Sequence, residues 1–385
     1  MLLGRYEVIR KIGVGGFGEV LLARAIGAEG FERIVALKRL KGELARQHLK
    51  GIINEARIGG LLSHPNIVQV LEFLRLDQRN KHTPDYLLVM EYVDGIALQE
   101  LLDLDRGVQR HITSGQAIDI AIQVCEGLHY AHAARAITGQ PLKLIHRDIK
   151  PSNLMITRTG TVKIMDFGVA KSASNMGNSS TGSIKGTLRY LSPEQAEGSR
   201  EIGHASDLFS LGLVLCEMVI GRTVYDADQE HLVLLRALQA VTGDTVREAD
   251  AIAPGLGPIL SRCLAPNPES RYRSAEELAR ALRELAVHFP TSCSLAHVVD
   301  RALSIRQTLP PNDDVSTETS FSLELRKRPL NRARLPWELS ASDMPTETRR
   351  VSLTAAELLS DSTWLELHRG DDTDPPWEWE WNEQT

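Results

Sequence analysis

The sequence predicts an α+β chain of two lobes followed by an extension of different texture. Between Tyr6 and Val93 short β-rich runs dominate: VIRKI, EVLLA, RIVALKRL, IVQVLEFL and DYLLVMEYV, separated by glycine-bearing or polar turns. From Ala97 to about Leu303 apolar residues recur at helical intervals instead. After about Pro310, proline, charge and Ser/Thr mix without sustained period, as in LPPNDDVSTETS and DDTDPPWEWEWNEQT. These shifts divide the chain into residues 1–93, 94–303 and 304–385, the last expected to be largely disordered.

Composition narrows the function classes. A chain of 385 residues with 42% apolar content can bury a substantial core. Its formal charge of −6 argues against bulk nucleic-acid binding. The charge is uneven: residues 304–385 carry 9 Lys and Arg against 16 Asp and Glu, which leaves 35 against 34 in residues 1–303. Cys125, Cys216, Cys263 and Cys293 are far apart, so neither a disulfide framework nor a zinc site is expected, and a reducing compartment fits. MLLGRYEVIRK lacks the apolar core of a signal peptide. The most apolar run, Leu208–Ile220, contains Glu217 and falls short of the roughly 18 residues a membrane span needs. A soluble cytoplasmic protein is the expectation.

In the first lobe, Gly13-Val-Gly-Gly-Phe-Gly18 fits G-x-G-x-x-G, a spacing shared by dinucleotide-binding turns and by flaps over ATP phosphates. Glu32 even supplies the downstream acid of the first alternative. A dinucleotide site needs a helix at the loop, whereas EVLLAR leads through the turn AIGAEGFE into the strand RIVALKRL. Strand, loop, strand is a hairpin, which disfavours the dinucleotide alternative. The one helix of this lobe is expected over Leu44–Leu62, where Leu49, Ile52, Ile53, Ala56 and Leu62 keep helical spacing, and it stops at SHPN before proline. In the second lobe the pattern predicts helices over Ser114–Arg135, Ala205–Gly221, Glu230–Val241 and Ser274–Val287.

Distant motifs then occur in one order. VALK places Lys38 on the third strand run, and Glu55 lies in the helix that follows. IHRDIKPSN supplies His146, Arg147, Asp148, Lys150 and Asn153; DFG is Asp166-Phe167-Gly168; GTLRYLSPE follows at 186–194. In this order they resemble the eukaryotic-like (Hanks-type) serine/threonine protein kinases over roughly residues 6–287. The resemblance implies a bilobal protein kinase fold and transfer of the γ-phosphate of ATP to Ser/Thr hydroxyls of proteins.

It also implies roles for particular residues. Gly13, Gly15, Gly16 and Gly18 would let backbone amides close on the phosphates, with Phe17 at the tip shielding them from water. Lys38 would contact the α- and β-phosphates, held by Glu55. Asp148 would orient the substrate hydroxyl and accept its proton, and Lys150 would meet the γ-phosphate. Asn153 and Asp166 would ligate Mg²⁺ (or Mn²⁺), a hard cation suited to oxygen donors. Ile12, Val20 and Ala36 would cover the adenine from above and Met155 from below, with Met90 as gatekeeper of a hinge at Glu91–Val93. Thr187 and Lys150 match the Ser/Thr-specific branch. Asp207 would anchor the catalytic loop, and Glu194 would pair with Arg271.

Several features depart from the family pattern or concern control. SPE replaces APE, and Phe209 stands where many relatives have tryptophan. Gly59 stands where a bulky apolar residue is usual and is expected to loosen the packing of its helix. Ala134–Lys143 is an insertion before the catalytic loop. Arg147 would clamp a phosphate on the activation segment, which offers Ser172, Ser174, Ser179, Ser180, Thr181 and Ser183, with autophosphorylation expected within 179–183. The extension holds all five tryptophans, Trp337, Trp364, Trp377, Trp379 and Trp381; it offers a short helix at 353–368, Ser352 as a phosphosite, and PPWEWEW as a docking segment for a partner or for the lobes themselves. The rival functions are a pseudokinase scaffold acting through this extension and a small-molecule phosphotransferase. The first is disfavoured by the full set Lys38, Glu55, Asp148, Asn153 and Asp166, the second by Lys150, Thr187 and the SPE segment.

Overall fold

The computed structural model describes residues 2–15, 18–40, 49, 53–54, 56–76, 84–105, 112–136, 138–167, 188–199, 201–227, 229–291 and 293–308. The expectations at Gly16, Phe17, Glu55, Gly168, Ser172, Ser174, Ser179, Ser180, Thr181, Ser183, Thr187 and throughout 309–385 lie outside these residues.

The first lobe is one antiparallel sheet. Its strands are β1 (Leu2–Leu3), β2 (Tyr6–Gly15), β3 (Gly18–Ile26), β4 (Glu32–Leu40), β5 (Val70–Leu76) and β6 (Asp85–Glu91), in the order β1-β2-β3-β4-β6-β5. Val20 lies opposite Lys38 and Ala36 opposite Met90. Side chains alternate across a sheet, so these four share one face. The opposite face carries Leu21, Leu37, Leu87 and Val89, which pack with Leu3, Tyr6, Ala23, Val35, Leu74 and Leu76 into the lobe's core. The period-2 pattern therefore gives one face to stability and leaves the other for a ligand.

Two segments differ from the sequence reading. IVQVLEFL joins this sheet only from Val70. Residues 66–68 instead bond to the second lobe: Val68 N–H donates to Ile164 O and Ile164 N–H to Asn66 O, both at 2.9 Å. Within the expected helix, the described residues 49, 53–54 and 56–61 are helical. Gly59 does not loosen that helix. A Cβ on it would lie 2.3 Å from Val70 Cγ2, so the missing side chain is what lets helix and strand approach.

The second lobe begins with β7 (Gly95–Ala97), α1 (Leu98–Asp105) and α2 (Ser114–His132). β8 (Leu154–Thr157) and β9 (Val162–Ile164) complete a small antiparallel sheet with β7. Then come α3 (Pro193–Ala196), α4 (His204–Ile220), α5 (Glu230–Leu238), α6 (Gly243–Ile252), α7 (Leu256–Cys263), α8 (Ala275–Ala286) and α9 (Leu295–Thr308). Thr113 and Gln116 form a reciprocal capping box on α2, and Ser274 caps α8. α4 is buried from Ser206 to Ile220 and ends at Gly221, whose φ of 79° supplies the left-handed cap. Packed on α2, α6 and α7, it is the lobe's central helix. No helix among the described residues is long and apolar enough to cross a membrane. All four cysteines are free.

The insertion at 134–143 folds back on itself: Leu142 N–H donates to Ala134 O at 2.9 Å and Ala136 N–H to Gln140 O at 2.8 Å. Gly139, at φ 84°, makes its turn.

The Gly59–Val70 contact sets two effects against each other. Helix propensity alone would make Gly59→Ala stabilising by about 1 kcal/mol. We expect a net loss of about 1–3 kcal/mol, the usual cost of overpacking, read as a lower urea midpoint. Val70→Ala removes the obstructing methyl and should restore most of it. A stabilised single variant would contradict the close approach.

Candidate active site

The site is built around one buried carboxylate. Asp207, in the first turn of α4, is 1% exposed. Its Oδ2 accepts from His146 N–H at 2.9 Å and from His132 Nε2 at 2.8 Å, and its Oδ1 accepts from Arg147 N–H at 2.8 Å. Burial alone would raise its pKa, but His132 and the amides outweigh that and hold it below the ordinary carboxylate range. The two amides fix the backbone at Arg147, whose φ of 65° is costly for a side chain bearing a Cβ. Gln195 Nε2 donates to Arg147 O at 2.9 Å and so holds the next peptide, on the other side of the Arg147 Cα.

His146 is fully buried, and burial pushes its pKa down, so it is neutral. Nε2–H donates to Met165 O at 2.8 Å, which leaves Nδ1 to accept from Asp148 N–H at 3.2 Å. The ring meets the edge of Phe167, with centroids 4.8 Å apart.

Asp148 follows, carrying the groups that matter chemically. Lys150 Nζ sits 3.0 Å from Asp148 Oδ2. Asn153 Nδ2 donates to Asp148 O at 2.8 Å and to Oδ2 at 3.0 Å. Asn153 O in turn accepts from Met165 N–H at 2.8 Å, tying this loop to the segment that carries Asp166. Asp166 has φ 50° and bonds through Oδ1 to Lys38 Nζ at 2.9 Å. That lysine is the main reason its carboxyl is held below its ordinary value. Lys38, Asp148, Lys150, Asn153 and Asp166, spread over 129 positions of sequence, thus converge at the junction of the lobes.

Above them, Gly13 pairs with Val20 and Gly15 with Gly18 across the β2–β3 hairpin, with an irregularity at Ile12. No helix follows the glycines, and Glu32 sits in β4, which excludes the dinucleotide alternative. Gly18 has a packing role that sequence did not reveal: a Cβ there would lie 1.9 Å from Arg39 O. Ala36 and Val93 are buried; Ile12, Val20, Met90, Glu91 and Met155 are half-buried. Met155 pairs with Ala97 in the β7–β8 ladder. The side chain of Glu91, in the expected hinge, is engaged. Its Oε1 accepts from Gln69 N–H at 2.9 Å and from Lys163 Nζ at 2.7 Å, so the hinge is held from behind.

Further down, Arg271 is completely buried and forms two parallel bonds to Glu194, at 2.7 and 2.9 Å. Its remaining donors reach Ala265 O, Ala205 O and Pro266 O, and its guanidinium lies 4.7 Å from the Phe209 ring centroid. Phenylalanine in place of tryptophan keeps that aromatic contact. Burial acts to raise the Glu194 carboxyl, but the bonds from Arg271 and Ser206 leave it lowered.

Among the described residues no three His, Cys, Asp or Glu converge as a metal cage. Asp166 and Asn153 instead offer a carboxylate and an amide oxygen, the donor type with which Mg²⁺ is held when phosphates complete its shell. With Asn153 Nδ2 bonded to Asp148, its carbonyl oxygen is the end left for a cation.

A glycine hairpin above a lysine–aspartate bridge, with a second carboxylate flanked by lysine and asparagine below, is the layout of a phosphoryl-transfer site. The family model of the protein kinase domain matches residues 6–282, and the chain belongs to that family. It is 36% identical over 281 residues to the tyrosine-protein kinase MasK of Myxococcus xanthus, covering 72% of this chain and 42% of that protein. It is 37% identical over 286 residues to the serine/threonine-protein kinase PknB of Mycolicibacterium smegmatis, with the same shares. PrkC of Bacillus subtilis, also a serine/threonine-protein kinase, is 32% identical over 277 residues, which cover 71% of this chain and 39% of that one. The matched region thus spans only about two fifths of each relative.

Breaking a buried ion pair from one side strands the other charge. Arg271→Met should cost about 3–5 kcal/mol in urea unfolding. Because the Glu194 pKa is depressed by folding, its contribution is present above the unfolded value near 4.5 and is lost as pH falls through the lower folded value. The variant should lack that part of the acid dependence, and an unchanged slope would contradict it.

Proposed function

We propose that the chain is a serine/threonine protein kinase, transferring the γ-phosphate of ATP to Ser/Thr hydroxyls of proteins. The observation that carries this is Lys150 at 3.0 Å from Asp148, with Asn153 on the same carboxylate. In that arrangement Asp148 orients the incoming hydroxyl and takes its proton, while Lys150 faces the charge of the transferring group. Lys38 would leave Asp166 for the nucleotide phosphates, freeing Asp166 to join Asn153 on Mg²⁺ (or Mn²⁺). Bound there, the cation neutralises phosphate charge. Ile12, Val20, Ala36 and Met155 enclose the base, and Met90, Glu91 and Val93 form its edge.

A second reading, transfer to tyrosine, is suggested by the similarity to MasK, a tyrosine-protein kinase. Lys150 two residues after Asp148, together with Thr187, favours Ser/Thr. A pseudokinase scaffold would have no use for five polar groups converging in this order, and Lys150, Thr187 and the SPE segment with its Glu194–Arg271 pair favour a peptide over a small-molecule acceptor. Arg147 and the serines and threonine at 179–183 are the elements proposed for activation by autophosphorylation. The acidic extension is proposed as a docking segment. The whole protein's substrates and cytoplasmic location belong to the same proposal.

One assay addresses these points: ³²P transfer from ATP·Mg²⁺ to the protein itself and to a generic basic protein. Label should appear on phosphoserine and phosphothreonine, with autophosphorylation mapping to 179–183. Asp148→Asn should lower kcat by about 10²–10⁴-fold, the usual worth of a positioned general base. Phosphotyrosine alone would select the second reading, and wild-type rates in Asp148→Asn would refute the assignment. Unchanged activity and binding without residues 310–385 would remove the docking role.

A further inference from the structure

α9 lies beyond residue 282, where the family match ends, yet it is built into the molecule. Leu295, Val298, Val299, Ala302 and Leu303, a regular i, i+3, i+4, i+7, i+8 stripe, are all buried in the core of the second lobe. The helix packs on β7 and β8. These two strands matter for the nucleotide site: β7 leaves the hinge directly, and β8 carries Met155.

Charged contacts sharpen the placement. Near the start of α9, Ala296 and Leu295 abut Gly160 in the β8–β9 turn, where any Cβ would be 3.0 Å from Ala296 N. In its middle, Asp300 receives Arg158 Nη1 at 3.2 Å, and the same Arg158 donates through Nε to Asp94 at 3.1 Å, immediately after the hinge. Near its end, half-buried Arg306 pairs with Glu100 of α1 at 3.1 Å. Burial lowers the Arg306 pKa, Glu100 opposes that, and Arg10 on β2 lowers it further, so this end of α9 also feels the first lobe. Tyr92 in the hinge stands among the same charges: burial raises its pKa, Asp94 adds to the rise, and Arg10 and Arg158 oppose it.

We propose that α9 is a hinge brace: through Arg306–Glu100 and Asp300–Arg158–Asp94 it positions the 91–97 strap that lines the nucleotide site. Arg306 and Asp300 are thus positioning residues for nucleotide binding outside the family's domain. This rests on the kinase reading for its nucleotide, but not for its contacts. An element that orders a binding strap in advance changes affinity for the ligand more than the rate of the chemical step.

The test uses the full chain with Arg306→Glu, Glu100→Arg and the double charge exchange, reading KM for ATP, kcat, and ADP affinity by calorimetry. Each single variant should raise KM and weaken ADP about three- to ten-fold, with kcat within about two-fold; the exchange should recover most of the loss. A purely structural role would instead reduce the active fraction, lowering kcat with KM unchanged, and would overturn the proposal. So would single variants with wild-type ADP affinity, or an exchange that restores nothing. Should a reversed charge prevent folding, Glu100→Gln takes the same readouts. A wild-type protein that binds ADP but transfers no phosphate would refute the kinase reading while leaving the brace testable by calorimetry.

Discussion

The Asp207 carboxylate is the constraint on which the site depends. A buried acid is costly unless its oxygens are bonded, and here three donors from two distant segments satisfy it. In return it fixes two consecutive amides and stabilises a left-handed turn at Arg147. The next residue, Asp148, faces Lys150 and Asn153. The anchor belongs to α4, the most deeply buried helix, so the loop inherits the rigidity of the core.

From that loop the order spreads outward by main-chain bonds. His146 and Asn153 both engage Met165, so Asp166 is placed by the same framework that places Asp148. Asp166 then reaches across to Lys38 on the opposite lobe. Residues 66–68 pair with β9, and Lys163 on β9 holds Glu91 at the hinge. The lobes are therefore joined by several polar links, and Ile58, Leu62 and Ile67 pack into the core of the second lobe, while the strands of the first lobe keep an apolar cluster of their own.

Much of this was legible in the sequence, for identifiable reasons. Short β-rich runs located β2 to β6, because branched apolar residues between glycine-bearing or polar turns favour strands. Motif order identified the converging polar residues, because charge chemistry restricts which side chains serve. The pairing of 66–68 with β9 was not legible, since a β-rich run does not announce which sheet it joins. The Lys163–Glu91 link was hidden for a related reason: each is unremarkable alone and only tertiary contact unites them. Gly59 was misjudged in sign, because a missing side chain reads as loss of packing until the neighbour that fills the space is known. α9 was overlooked because its start follows TSCS and its end merges into the proline-rich, charged extension. Its apolar stripe was nonetheless present in the residues.

The most direct measurement is single-turnover phosphoryl transfer by Asp207→Asn with saturating ATP·Mg²⁺. The substitution keeps size but replaces one acceptor oxygen with a donor, so an amide or His132 loses its partner. If Asp207 sets the geometry of Asp148, transfer should slow by at least about ten-fold while ATP affinity stays within about three-fold, because misplacement of the base affects the reacting step. Transfer at the wild-type rate would show that Asp148 is positioned without it.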